Sequence, residues 1–110
     1  MAAKIHGRLG AQPLAANTDV TLYQVPAGRK ATVTVRFCNR SSTDTTVRLA
    51  HIDGAIGALA NEDYMIYDAP LPGNGMITDD RITITAGHQL MVRAGSATVS
   101  AVCFGIEEDA

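Results

Sequence analysis

Between Lys30 and Asn39 the chain alternates without a break, with Ala31, Val33, Val35 and Phe37 on one side and Thr32, Thr34, Arg36 and Cys38 on the other. A period of two belongs to a strand with one buried and one open face, because a helix would scatter the same apolar positions around its circumference. The β-branched side chains, stiff at χ1, reinforce the choice. A strand of this kind demands a second apolar layer over its inner side. Shorter stretches repeat the pattern: Val20–Val25, Thr45–Ile52 with Val47 and Leu49, Gln89–Arg93 with Leu90 and Val92 inward, and Ala97–Glu107. Turn chemistry separates them at Pro26-Ala27-Gly28-Arg29, Pro72-Gly73-Asn74-Gly75, Ala86-Gly87-His88 and Ala94-Gly95-Ser96.

Several local expectations follow. Lys4–Ala11 reads as an edge strand, weakened by Gly7 and Gly10. Lys30–Asn39 and Thr45–Ile52 are expected to pair as a hairpin across the polar loop Asn39–Asp44. Asn61, followed by Glu62 and Asp63, predicts one helical turn that carries Tyr64, Met65 and Tyr67 and stops before Pro70. Met76–Thr85 reads as a strand broken at Asp79-Asp80. Strands spaced by roughly ten residues without a long helix indicate an all-β fold. We therefore expect a single small β-sandwich or jelly-roll-like barrel of seven to eight antiparallel strands, with at most one short helical turn. Residues 1–110 form one domain in this reading, and residues 1–12 serve as an edge strand or one exchanged with a neighbour.

Composition narrows the function classes. With 46% hydrophobic and 18% charged residues the chain is too apolar to be disordered, and a net charge of −2 argues against a protein that coats nucleic acid. No apolar run reaches the roughly 20 residues of a membrane helix. Met1–Gly7 lacks the apolar stretch of a signal peptide, so synthesis in a cytosol is expected. Three Tyr, two Phe and no Trp leave a core of Val, Ile, Leu and Ala, thin enough to gain from contacts between subunits.

No catalytic constellation emerges. Cys38 should face outward and Cys103 inward, which favours free thiols over a disulfide. His6, His51 and His88 are far apart in sequence, and His88 lacks the neighbouring His and Glu that a metal-binding cupin sandwich would need. Ser41, Ser42, Ser96 and Ser100 have no nucleophile elbow. Asp79-Asp80 and the Asp63/Asp68 pair read as solvated turns rather than calcium loops. No catalytic residue, metal site, cofactor or small-molecule substrate is expected. Arg36, Arg40 and Arg48 are the candidate basic face of an intersubunit contact, with Glu107 and Glu108 of the next copy as its acidic complement. Tyr64 and Tyr67 are the candidate docking aromatics for a glycan, weighed against simple packing of a loop.

The order of these segments resembles a family of small virion-associated proteins of tailed bacteriophages. The residues that carry the likeness are Thr21-Leu22-Tyr23-Gln24-Val25-Pro26-Ala27-Gly28, Phe37-Cys38-Asn39-Arg40, the trio Tyr64, Tyr67 and Asp68, Ile82-Thr83-Ile84-Thr85-Ala86-Gly87, and Phe104-Gly105-Ile106-Glu107. They extend from about Ile5 to Glu107, and His88 departs from the pattern by standing where an acidic turn residue is expected. The resemblance implies a virion structural protein without enzyme activity, made in the host cytoplasm and present in symmetric copies, with itself and other virion proteins as partners. A neck, collar or tail position is the first expectation and capsid decoration the second. A carbohydrate- or receptor-binding module, and more remotely a cupin-like enzyme, are the competing readings.

Overall fold

The computed structural model describes residues 4–110, with side chains from Gly7 onward. The first three residues of the expected edge or exchanged strand, and the side chain of His6, lie outside the described residues. Eight strands follow in chain order: β1 (Lys4–Pro13), β2 (Val20–Gln24), β3 (Arg29–Asn39), β4 (Thr45–Asp53), β5 (Tyr64–Leu71), β6 (Met76–Thr85), β7 (His88–Ala94) and β8 (Val99–Asp109). They form two four-stranded antiparallel sheets, ordered β1-β8-β3-β6 and β2-β7-β4-β5. Only β4 and β5 are consecutive strands that pair with each other; elsewhere the chain crosses between layers or skips a neighbour. This double Greek-key order is that of a jelly roll, as the alternation and turn spacing lead one to expect.

The expected β3–β4 hairpin does not form. Arg29–Asn39 lies between β8 and β6, whereas Thr45–Asp53 lies in the opposite sheet between β7 and β5. The polar loop after Asn39 is therefore a bridge between layers. Asn39 anchors it: the buried amide Nδ2 donates to the Thr43 carbonyl at 2.9 Å, and Oδ1 accepts from the Ser41 N–H and the Thr98 hydroxyl, each at 3.1 Å.

The helical turn is also displaced. Two single 3-10 turns occupy Ile56–Ala58 and Asn61–Asp63, and the second is closed by Asp63 Oδ2 accepting from the Ala60 N–H at 2.9 Å. Tyr64, Met65 and Tyr67 belong to β5 instead. The acidic start signal does nucleate a turn, but a single 3-10 turn is all that forms before β4 recruits the following residues as an edge partner. β6 runs continuously from Met76 to Thr85, with a bulge at Asp80 and Arg81 in place of the expected break.

Val33, Val35 and Phe37 of β3 meet Val47 and Leu49 of β4, Leu90 and Val92 of β7, and Ile82 and Ile84 of β6 in the space between the sheets. A β-bulge in β2 turns both Leu22 and Tyr23 inward, where strict alternation would have separated them. A second, smaller cluster lies outside this space. Ala50, Ile52 and Met91 are buried on the outer side of the β2-β7-β4-β5 sheet, beneath Ile56, Leu59 and Tyr64. Among the described residues that sheet is thus covered on both faces, and the other on one.

Candidate functional site

Extension of the inward alternation of β4 and β7 to their ends brings two histidines together. His51 pairs with Leu90, and Asp53 pairs with His88, so all three polar side chains share the inner face where the sandwich opens. His51 Nε2 lies 3.0 Å from His88 Nδ1, and His88 Nε2 lies 3.1 Å from Asp53 Oδ1. If His88 donates to the carboxylate, its neutral Nδ1 becomes the acceptor for His51 Nε2–H. Burial lowers the His51 pKa, the neighbouring His88 adds to the effect, and Asp63 and Asp53 oppose it. With Glu62, Asp63 and Met65 these residues line an open cleft of about 330 Å³. The chain of hydrogen bonds could move a proton, yet no serine, threonine or cysteine stands in the cleft to act as a nucleophile. Among the described residues no group of three His, Cys, Asp or Glu side chains is arranged to hold a metal ion.

The acidic end of the chain turns inward. Glu107 is buried, accepts from the Tyr23 hydroxyl and lies 2.6 Å from Arg29 Nε, while Asp109 lies 2.9 Å from Arg29 Nη1. Burial and the Glu107 carboxylate push the Tyr23 pKa well above its ordinary value. The tail residue expected to reach a neighbour is therefore held by β2 and β3 of its own chain.

The three arginines separate. Arg36 is exposed on the outer face of β3, 5.7 Å from the Phe104 ring centre and 3.3 Å from the Thr78 hydroxyl. Arg40 donates to the Ala97 carbonyl at 3.3 Å. Arg48 lies in the opposite sheet, on β4, where Nε is 2.6 Å from Asp68 Oδ1 and the guanidinium stacks 4.2 Å above Tyr67. This pairing holds the Asp68 carboxyl below its usual range. The expected single basic face is not formed, because Arg36 and Arg48 depended on a hairpin that does not exist.

Tyr64 and Tyr67 do meet, edge to face with ring centres 4.8 Å apart. Residues three apart in an ideal strand point to opposite faces, so the bulges in β5 and the left-handed Asp68, at φ 50°, bring the rings together. Tyr64 packs over the outer cluster while Tyr67 stays 59% exposed. Cys38 is an exposed free thiol and Cys103 a buried one, with burial pushing the latter up to about 12.

The outer side of the β1-β8-β3-β6 sheet is a site that the sequence reading left undescribed. Ile106 and Met76 are 39% and 61% exposed there, beside half-buried Val102 and Phe104.

No protein-family model matches the chain, and no curated protein matches it in sequence. Among solved structures it is similar to a chain of the T13 particle of infectious bursal disease virus, at 8% identity and a TM-score of 0.54 over 97% of this chain and 30% of that one. A chain of the Gx strain of the same virus aligns at 10% identity and a TM-score of 0.53, over 98% of this chain and 32% of that one. The chain spans about a third of the length of these two, and at such identities the likeness is one of fold: a jelly-roll sandwich matched along nearly its whole length.

Proposed function

We propose that this chain is a non-enzymatic structural component of a virus particle, present in symmetric copies and bound to itself and to other virion proteins. The likeness in fold to two chains of an icosahedral virus particle, over 97% and 98% of this chain, supports the reading. Jelly rolls build many viral shells, and they also serve as lectins and cupins, so the fold alone leaves several classes open. The resemblance of the segments from Thr21 to Glu107 to small virion-associated proteins of tailed phages supports the finer reading, a tailed-phage particle with this chain at a neck, collar or tail position ahead of capsid decoration.

Purified particles provide the test. Quantitative mass spectrometry of particles banded in a density gradient should find the chain at a fixed ratio to the major shell protein, and gold-labelled antibody should mark one symmetric location. Absence from banded particles would overturn the proposal. The exposed Tyr67 beside Arg48 favours a second reading, a glycan-binding module. Specific glycan capture that is abolished by Tyr67→Ala, with no particle association, would establish that reading instead.

A further inference from the structure

We infer that the outer face of the β1-β8-β3-β6 sheet is a docking surface for a second copy of this chain, which meets it with the acidic cleft at the open end of its other sheet. The inference rests on the structural role proposed above and assigns the surfaces through which it is carried out.

The two sheets are treated differently by the chain itself. Ile56, Leu59 and Tyr64 cover the outer side of the β2-β7-β4-β5 sheet, and no described segment covers the outer side of the other. Along β8 that bare side presents Val102, Phe104 and Ile106, with Arg36, Thr34 and Thr32 opposite them on β3. Met76 stands next to Cys38 at one end of the row. Four strands about 4.8 Å apart and some ten residues of about 3.3 Å rise give a flat footprint of roughly 500 Å². Side-chain relief raises this toward the ~800 Å² per partner of a stable interface.

Charge selects the occupant. Arg8, opposite Phe104, and Arg36, opposite Val102, are exposed in the middle of the face, with Lys30 and Glu108 facing each other at one end. Two such faces packed together would set arginines against arginines, a repulsion that disfavours a back-to-back dimer. The matching surface is the cleft, where Asp53, Glu62 and Asp63 gather beside Met65, itself 42% exposed. A face that binds a different patch on its copy makes a head-to-tail contact, and such contacts close into rings when the rotation permits.

Cys38 reports on the contact, because it is the exposed thiol of this face while Cys103 is buried. Sedimentation velocity of the full chain over a concentration series would be combined with maleimide labelling of Cys38 in the monomeric and assembled fractions. Assembly should slow the labelling at least about tenfold. Ile106→Glu, Arg36→Glu and Glu62→Lys change exposed side chains; each should weaken assembly about tenfold or more while leaving the circular dichroism spectrum intact. The double variant Arg36→Glu with Glu62→Lys should recover it, since the pair of charges is exchanged across the contact. An oligomer in which Cys38 reacts as fast as in the monomer, or one in which the double variant fails to recover, overturns this surface while leaving the structural role standing. A chain that stays monomeric at every concentration and is absent from banded particles overturns both.

Discussion

Replacement of Glu107 by alanine should cost the fold about 3–4 kcal/mol, although the residue lies near the end of the chain and carries a charge. Glu107 is only 5% exposed, and its carboxylate serves both the Tyr23 hydroxyl and Arg29 Nε. Truncation leaves the hydroxyl buried without its acceptor, at about 1–3 kcal/mol. Removal of one member of a buried ion pair costs about 3–5 kcal/mol in general. Here the lower part of that range applies, because Arg29 keeps Asp109 at 2.9 Å and its side chain is 17% exposed. The two costs overlap, since one carboxylate supplies both contacts, so they do not add in full. At about 4–6 °C per kcal/mol for a domain of this size, the melting temperature should fall by roughly 12–24 °C. Glu107→Gln, which keeps an acceptor for Tyr23, should lose about 1–2 kcal/mol, and Tyr23→Phe about 1 kcal/mol. Urea unfolding followed by far-ultraviolet circular dichroism measures all three. A loss below about 1 kcal/mol for Glu107→Ala would refute the reasoning, and would return this carboxylate to the solvent-facing role its position suggests. Charge reversal at Glu107 would place a cation against Arg29, so a Lys there reports on folding before it reports on assembly.

Four further outcomes are expected. Phe37→Ala should destabilise by about 3–5 kcal/mol in the same urea assay, because the ring is fully buried between the sheets. Gly105→Ala should cost about 1–3 kcal/mol, since an added Cβ would lie 2.2 Å from the Thr32 carbonyl oxygen in the neighbouring strand. Stability should decline as pH falls below the ordinary imidazole value of 6.5, because native His51 resists protonation and the unfolded chain takes up more protons; above that value its contribution is level. Melting temperatures of the wild type and His51→Gln between pH 5 and 8 check this, and a decline of equal size in both would remove His51 as the cause. At a dilution where the chain is monomeric, maleimide should modify one thiol, Cys38, with the second appearing only on denaturation, because Cys103 is buried and its pKa is pushed up to about 12.

What could be read from the sequence was local. The alternation from Ala31 to Cys38 yields the strand, its inner face and the outward Cys38, and that of the last strand from Val99 yields the inward Cys103, because a period of two is a property of the backbone alone. Sheet membership is not local. β3 and β4 follow one another across a short polar loop, as the strands of a hairpin do, and nothing in that loop distinguishes a reversal within a sheet from a step between sheets. Misplacement of the arginines followed from that single ambiguity. The proximity of His51 and His88 depends on the β4–β7 register, 37 residues apart, although a signal was present: each histidine continues an inward row, after Leu49 and before Leu90. Glu107 carries the same signal, since it continues the inward row of Val99, Ala101 and Cys103, but the identity of its partners depends on contacts 78 and 84 residues away.

The strand order has a consequence for how the molecule comes into being. β8, the last of the eight to leave the ribosome, occupies an interior place between β1 and β3. Until it arrives, the earliest strand has no neighbour with which to exchange backbone hydrogen bonds, and β3 lacks one of its two. The β1-β8-β3-β6 sheet therefore waits, with a gap the width of one strand, for the eleven residues of β8 from Val99 to Asp109. A nascent chain with a vacancy of that shape is open to a strand from another molecule during the interval, so the speed of closure by β8 should govern how much of the product is lost to mispairing.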